Sequence, residues 1–331
     1  MLSFTLRRLA SVVGVVLFLA LAVFALGKVG NADPVRTYIG ANASAEQVEQ
    51  ARAELGLDDP LLTQFWNFLT GAVQGDLGIS LSTKHAIADD LSTRLPATLE
   101  LAGWALGFAV ILAVVLAAVA ALGGKVAAVL RFVFFSAASA PAFLVAMLGV
   151  LVFYQAWGLL PASGRTSYGV YDDSTGFYVI DGLLHASPLY AADAIGHLIL
   201  PAVAAGLAPG VALARVLSDG LGASMSSPFA RTARAMGESE TTILRRHGLR
   251  NASSPALSML AVQAGLMVSS LVVVEQVFAW NGLGTYLANA IAAGDFNAIA
   301  AVSLILGVVY VVLNALVEVA LAAVDPRVRL G

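Results

Sequence analysis

Six long stretches without a charged residue constrain this chain more than any other feature. They contain 19, 24, 33, 17, 24 and 22 residues, over 9–27, 101–124, 132–164, 198–214, 251–274 and 296–317. A helix needs about 20 apolar residues to cross a hydrocarbon core about 30 Å thick. The pattern therefore predicts an all-α polytopic membrane protein with six transmembrane helices. We place these spans at 9–27, 97–121, 130–157, 198–219, 256–278 and 298–322.

Composition supports the same class of protein. Only 12% of the 331 residues are charged and 59% are hydrophobic, whereas about 25% of the residues in soluble proteins are charged. Such a chain has too little polar surface to be a soluble enzyme, a disordered chain or a nucleic-acid-binding protein. The chain contains no Cys, which excludes disulfides, thiolate metal sites and Cys nucleophiles.

The basic residues predict the orientation. With the N-terminus inside, 12 of the 18 Lys and Arg residues fall on the inner side, which matches the positive-inside rule. Both termini are then cytoplasmic. The alternative at the start is a cleaved signal peptide made of Arg7-Arg8, an apolar run and Ala25-Leu26-Gly27. That run is longer than the usual 7–15-residue core of a signal peptide, which favours a retained span.

These assignments divide the chain into four parts. Residues 1–27 form the first transmembrane helix with a cytoplasmic N-terminus, and 28–95 form a polar extracytoplasmic helical subdomain. Residues 96–322 form a five-helix core, and 323–331 a cytoplasmic tail. Within the subdomain we predict a helix over 45–55, capped by Ser44 and stopped by Gly56, then a helix over 61–72 opened by Asp59-Pro60, and a turn at Gly75–Gly78.

A second outer segment, residues 158–197, is rich in Tyr and Asp. We expect an ordinary solvated loop there, with a hairpin or a substrate-facing loop as alternatives. Prolines in the neighbouring predicted spans, Pro141, Pro201 and Pro209, mark places where helices can bend. The fourth span, which contains Pro201 and Pro209, rests on the shortest of the six charge-free stretches given above.

The inner segment 220–255 carries the clearest local signals. Ser227 is a predicted N-cap, Pro228 takes the first helical position, 229–236 is helical and Gly237 ends the helix. A second short helix starts at the Ser239 cap, has Glu240 in its first turn and Arg245, Arg246 and His247 in its last turn, and stops at Gly248. Acid at the start and base at the end suit the helix dipole.

Chemistry-bearing motifs are scarce. Gly123-Gly124-Lys125 is followed by Val126, so there is no phosphate-binding loop. No two His residues have i, i+4 spacing for a metal, and Ser163-Gly164 is a weak hydrolase signal. Acids in spans are functional candidates. Glu100, Glu275 and Glu318, however, all lie near predicted span ends, which favours snorkelling or a polar helix contact over a proton relay.

Several ordered motifs resemble a known family. Arg231-Thr-Ala-Arg-Ala-Met-Gly237, Arg245-Arg-His-Gly-Leu-Arg-Asn251 and Pro255 resemble the cytoplasmic loop of binding-protein-dependent ABC importer permeases of the dipeptide/oligopeptide/nickel branch. Further similar motifs are 55–60, 75–78, 95–101, 275–278 with 282–284, and 325–329. The sequence departs from the family pattern at Asn281, at Ser253-Ser254 and in the outer loop 165–196.

The resemblance implies a non-catalytic permease of type I ABC importer fold in the bacterial inner membrane. Its partners would be a homologous second permease, two ABC ATPases that bind ATP and Mg, and an extracytoplasmic solute-binding protein. The chain itself would bind no cofactor, and its cargo would be a dipeptide or oligopeptide. The alternatives are a nickel or other small-solute permease and an ion-coupled secondary transporter. A membrane scaffold without a transport role is a further alternative, but it would leave the capped inner helices unexplained.

The same resemblance assigns site residues. In what we call the coupling loop, residues 220–255, the short helix 228–236 would lie in a groove of an ATPase subunit. The residues implied in this contact are Phe229, Arg231, Thr232, Ala233, Arg234, Met236, Gly237, Arg245, His247, Arg250 and Asn251. Spacing lets Arg231 and Arg234 face an acidic rim together, with Phe229, Ala233 and Met236 on an adjacent face. Candidates for gating or for lining the pathway are Pro141, Pro209 and Glu275.

Overall fold

The computed structural model describes residues 13–25, 44, 46–47, 49–50, 58–80 and 82–324. In this part of the chain every regular element is a helix, apart from one isolated bridge between Ile79 and Ala86. The all-α prediction is therefore confirmed there. Most of the predicted helix 45–55, its stop at Gly56 and nearly all of the tail 323–331 lie outside the described residues.

The helices are numbered here in chain order. They are α1 (Val13–Ala25), α2 (Leu61–Gln74), α3 (Ile87–Leu122), α4 (Gly124–Ala137), α5 (Ala142–Gly149, extended by a π-helix to Ala156), α6 (Tyr178–Leu184), α7 (Pro188–Ser226), α8 (Pro228–Ala235), α9 (Glu240–Ile243), α10 (Leu249–Val277), α11 (Leu283–Ala293) and α12 (Phe296–Val324).

Four of the described helices are long and apolar enough to cross a membrane. They are α3, α7, the continuous run Glu240–Val277 and α12 over Phe296–Val317. The bent pair formed by α4 and α5 makes a fifth if it counts as one span. Helix α1 is apolar, but its described length of Val13–Ala25 is shorter than the predicted span 9–27.

The chain divides into two compact units, one made of residues 1–95 and 282–311, the other of 96–281 and 312–331. In the first unit, the start of α3 packs against α11 and α12 through a core that includes Ile87, Tyr286 and Val302. Asp295, which is fully buried, accepts hydrogen bonds from the Ala298 amide at the start of α12 (3.1 Å) and from Ser80 Oγ (2.6 Å). This carboxylate therefore both caps α12 and holds the turn that leads into α3.

The core of the second unit is a close crossing of α3 and α7. A Cβ atom added to Gly206 would collide with the Ala105 carbonyl, and one added to Gly210 would lie 3.1 Å from Ala109 Cα. Small residues four apart on both helices thus let the two backbones approach, as in packed membrane helices. Within an apolar stretch of 18 residues of α7, 78% are buried inside the protein.

The predicted span 130–157 is not one straight helix. Helices α4 and α5 meet at a bend of 110°, and Pro141 is the N-cap of α5. A Pro ring lacks an amide donor and clashes with the preceding turn, so the helix restarts there. The prediction of a bend at Pro141 is confirmed.

The prolines of α7 behave differently. The helix continues through Pro201 and Pro209 from Pro188 to Ser226, so the span predicted at 198–219 is extended at both ends. Likewise α3 starts at Ile87 and contains Pro96, although we predicted its start at 97.

The sequence does not predict helix α11, because we assign Gly282 and Gly284 only to a family motif and not to the start of a helix. Helix α2, by contrast, matches its prediction, with Gly75 at φ 81° and Gly78 at φ 79° in the turn that follows.

Candidate coupling site

The coupling loop starts with a capped helix, as predicted. Ser227 accepts a hydrogen bond from the Ala230 amide at its Oγ (3.4 Å), and Pro228 takes the first position of α8. The hydroxyl satisfies an amide that has no partner inside the helix, and Pro has no amide to satisfy. Ala230 is fully buried. Helix α8 is therefore fixed at its first turn.

Gly237 ends this helix in the left-handed conformation, with φ 90°. Its amide donates to the Arg234 carbonyl (3.0 Å), and the Glu238 amide donates to the Ala233 carbonyl (3.1 Å). These two bonds form a Schellman motif, which only Gly accommodates without strain. A Cβ at Gly237 would meet nothing within 4 Å. The requirement for Gly here is therefore conformational and not steric.

The second part of the loop corrects one prediction. Ser239 caps α9 by accepting from the Thr242 amide (3.3 Å), as expected. Gly248, however, does not stop a helix: its φ is −59°, and a π-helix over Leu244–Gly248 joins α9 directly to α10. Gly248 is buried, and a Cβ there would lie 3.3 Å from Leu244 and 3.5 Å from Met225. This Gly serves close packing within the second unit instead of a helix end.

The candidate contact residues differ in exposure. Phe229 is 40% exposed and Met236 is 79% exposed, and Ala233 between them is half-buried. These three share one face of α8, as the spacing predicts. The exposed members of the remaining set are Arg231, Thr232, Arg234, Gly237, Arg245, Arg250 and Asn251. His247 is half-buried, with its ring 5.7 Å from that of Phe229.

Arg234 has a partner within the loop, although its side chain is exposed. Its Nε and Nη2 donate to the two carboxylate oxygens of Glu240, the second at 3.0 Å. The pair joins the end of α8 to the start of α9. Arg231 is exposed and forms no ion pair with another residue that the structure describes. Only Arg231 of the two arginines is thus available to an acidic partner.

The three pathway candidates lie in different surroundings. Pro141 is exposed at the bend, and Pro209 is buried within α7. Glu275 is fully buried in α10 and accepts a hydrogen bond from Thr98 Oγ1 (2.6 Å). The three therefore differ in burial: Pro141 is exposed, whereas Pro209 and Glu275 are inside the protein.

Glu100 in α3 forms a buried ion pair that the sequence did not reveal. Its Oε2 accepts from Arg165 Nη2 (2.7 Å) and its Oε1 from the Val179 amide (3.0 Å). The side chains of Arg165 and Glu100 are only 8% and 4% exposed. The Arg165 guanidinium also lies 3.8 Å from the centre of the Tyr178 ring. Snorkelling is therefore wrong for Glu100 and Glu275, and the polar-contact alternative is confirmed; the side chain of Glu318 lies outside the described residues.

Arg165 belongs to what we call the tethered loop, residues 158–187. Asp181, fully buried in α6, accepts from Ser174 Oγ (2.5 Å), Thr175 Oγ1 (2.6 Å) and the Thr175 amide (2.9 Å). Burial alone would raise the pKa of Asp181, but the hydrogen bonds from Ser174 and Thr175 outweigh it and lower the pKa below its usual value. The segment is therefore neither a hairpin nor a freely solvated loop.

His185 closes the same loop. Its ring stacks on Tyr171 at 3.9 Å, with Nδ1 2.8 Å from the Asp181 carbonyl and Nε2 2.9 Å from Asp173 Oδ1. The hydrogen bond with the Asp181 carbonyl, then that with Asp173, raise the pKa of His185 above its usual 6.5. Sequence reasoning missed this cluster, because its members are up to 14 residues apart and follow no helical or strand period.

Within the described residues no group of three or more His, Asp or Glu is arranged to hold a metal ion. A more conspicuous feature of the coupling loop is the doubly capped α8, most of whose side chains are exposed.

Comparison with known proteins identifies the family of the chain. Residues 105–330 match the family described as binding-protein-dependent transport system inner membrane component, and residues 1–102 match the N-terminal part of such components. The chain is 32% identical over 338 aligned positions to the glutathione transport system permease protein GsiC of Escherichia coli (strain K12), and equally to that of Shigella dysenteriae serotype 1 (strain Sd197). Each alignment covers 99% of both chains. This chain belongs to the family of inner membrane permease components of binding-protein-dependent ABC transport systems.

Proposed function

We propose that this chain forms half of the pathway that imports short peptides, including peptides of the size of glutathione, across the inner membrane. The support for the cargo is the full-length similarity to permeases named for glutathione transport. The other half comes from a homologous second permease. Two ABC ATPases supply the energy from bound ATP and Mg, and an extracytoplasmic solute-binding protein delivers the peptide.

One observation carries the coupling role: α8 is fixed at both ends while its outer face stays exposed. The cap at Ser227 and the Schellman motif at Gly237 hold the helix. Met236 and Phe229 present apolar surface and Arg231 presents an unpaired charge. An amphipathic helix of this kind docks in a groove with an acidic rim, as helices in other complexes do. Arg245, Arg250 and Asn251 extend the same contact, and Arg234 holds α9 in place beside it.

The proposed topology has six spans, of which α1 with its flanking residues is the first and the bent pair of α4 and α5 is the third. Residues 28–95 and the tethered loop lie on the extracytoplasmic side, and the coupling loop and both termini lie in the cytoplasm. Reporter fusions test this arrangement. A fusion within 238–242 or after Gly331 should report cytoplasm, and one within 172–176 should report the outside. An outside signal at 238–242 would overturn the arrangement.

The coupling contact is tested in the assembled importer, reconstituted in liposomes with its ATPases and binding protein. Ala233→Asp places a carboxylate on the face of Phe229 and Met236, and should abolish the stimulation of ATP hydrolysis by loaded binding protein. Ala233→Ser is the matched control, because it changes the same position without adding a charge. Normal stimulation in the Ala233→Asp variant would show that this face is not the contact.

The cargo is tested separately in the same liposomes. Uptake of glutathione, of dipeptides and of longer peptides is compared with uptake of nickel. Uptake of nickel without any peptide would refute the proposed cargo and leave the coupling proposal standing.

A further inference from the structure

Helix α2 has three distinct faces. It contains 14 residues, Leu61–Gln74, and none of them is charged. At 100° per residue, Thr63, Asn67, Thr70 and Gln74 fall on one polar side. Phe65, Phe68 and Ala72 fall on a second side. Leu62, Trp66, Leu69 and Val73 fall on a third, at spacings of four, three and four residues.

The second side attaches α2 to the end of α1. The ring of Phe65 lies 5.4 Å from that of Phe24 in an edge-on arrangement, and the ring of Phe68 lies 6.0 Å away from it. Phe24 is in the last turn of α1, just before Lys28 ends the apolar stretch. Helix α2 therefore lies at the level where the apolar part of the first membrane helix ends.

The third side is apolar and exposed. Leu62 is 80% exposed, Trp66 66% and Val73 86%. Soluble surfaces carry single apolar residues, but an ordered stripe along a whole helix indicates an interaction surface. The exposed residues of α1, including Phe18 at 70% and Leu21 at 50%, are those expected of a helix in contact with lipid.

We propose that α2 lies in the interface of the bilayer, with Leu62, Trp66, Leu69 and Val73 inserted among the lipids. Three observations select lipid over a protein occupant: the position beside the end of α1, the absence of any charge to match a partner, and a Trp in the stripe. Trp is enriched where headgroups meet acyl chains. Interfacial helices hold their position by burial of an apolar face.

The neutral polar side of α2 has a further consequence. Most interfacial helices add attraction between Lys or Arg and anionic lipids, but α2 has no such residue. Its insertion therefore depends on apolar burial alone, so its depth should be the same in neutral and anionic membranes. The inference goes beyond the proposed transport function and does not depend on the identity of the cargo.

This chain contains no Cys, so in an importer assembled with Cys-free partner subunits each label has a single site. Single variants Leu62→Cys, Trp66→Cys and Val73→Cys are spin-labelled in the complete importer, with Thr63→Cys and Asn67→Cys as controls on the polar side. The importer is reconstituted in phosphatidylcholine vesicles, with and without added phosphatidylglycerol. Collision of each label with oxygen, which partitions into lipid, is compared with collision with a water-soluble nickel chelate.

We expect the three stripe labels to collide mainly with oxygen and the two control labels mainly with the nickel chelate, in both kinds of vesicle. Stripe labels that collide with the chelate as often as the controls would place the stripe in water and overturn the proposal. Stripe labels protected from both reagents would show that a protein, such as the solute-binding protein or the second permease, covers them, and would also overturn it. A depth that changes with phosphatidylglycerol would contradict insertion by apolar burial alone.

Discussion

The tethered loop and the coupling loop both connect long apolar helices, yet they are held in opposite ways. The tethered loop is fixed by buried charge: the Arg165–Glu100 pair is less than a tenth exposed, and Asp181 is fully buried. The coupling loop is fixed by backbone caps and by one exposed ion pair, with Arg234 and Glu240 36% and 61% exposed. Its candidate contact residues point outward.

Both loops are therefore ordered, but by different groups. A buried charge requires its partner, so the ion pair fixes the tethered loop although many of its other side chains are exposed. Caps satisfy the backbone at helix ends without using the outward side chains, so the coupling loop is ordered while those side chains stay free. The proposed docking with another subunit would need side chains that are free in this way.

The largest expected effect comes from breaking the buried pair. Arg165→Met leaves the Glu100 carboxylate buried without its partner, which costs about 3–5 kcal/mol of stability. We expect a marked fall in the thermal midpoint of the detergent-solubilised protein, measured by loss of the monodisperse chromatographic peak. The double variant Glu100→Gln with Arg165→Met should recover much of the loss, because no charge remains buried. A single variant as stable as the native chain would show that the pair does not hold the loop.

A change at Gly237 should separate coupling from stability. Gly237→Val forces a β-branched residue to φ 90°, at a cost of about 1–2 kcal/mol per residue, so insertion in the membrane stays intact. The altered direction of the chain displaces α9, and we expect stimulation of the ATPases by loaded binding protein to be lost. Gly237→Asn is the graded control, because Asn tolerates this region better than other residues. Equal stimulation in both variants and the native importer would contradict the role of the helix end.

The exposed ion pair offers the direct contrast with the buried one. Glu240→Gln removes the partner of Arg234, but both groups remain hydrated, so the loss of stability should be small. The thermal midpoint should fall far less than for Arg165→Met under the same conditions. A fall as large as that of the Arg165 variant would mean that burial does not distinguish the two loops.

The smallest effect concerns pH. The pKa of His185 is raised above 6.5 by the Asp181 carbonyl and by Asp173, so the protonated ring is the form that the folded loop favours. Its contribution is fully present below pH 6.5 and is lost as the pH rises through the raised pKa. Hydrogen exchange of amides in 171–187 should therefore quicken on going from pH 6 to pH 8 beyond the intrinsic change of rate. His185→Gln should abolish this extra increase, and a native protein without it would refute the contribution.

Local signals predicted much of the coupling loop. Ser227, Pro228, Gly237 and Ser239 act within a few residues of themselves, so their roles can be read from sequence. The prediction that Gly248 stops a helix is wrong. Gly248 is needed because Met225 and Leu244 pack closely against it, and the local sequence does not indicate that packing. Glycine therefore ends a helix at Gly237 and allows close packing at Gly248, and only the three-dimensional contacts distinguish these two roles.

The long-range polar contacts of the structure also could not be predicted from the sequence. Charge-free stretches place the spans, because lipid excludes charge over a whole helix. Nothing local indicates that Glu100 pairs with Arg165, 65 residues further along the chain, or that Glu275 bonds with Thr98. The position of Glu100 and Glu275 near span ends suggested exposure to headgroups, and only packing shows them buried.

The uninterrupted run from Glu240 to Val277 has a mechanical consequence. Its 38 residues correspond to a rod about 55 Å long, against a hydrocarbon core about 30 Å thick. The run is therefore longer than the hydrocarbon is thick, and the helical backbone continues through the π-helical segment Leu244–Gly248 and through Pro255. In the proposed importer, a sideways push on the cytoplasmic end would then tilt the membrane end as a lever does about its fulcrum, without a break in the helix between them.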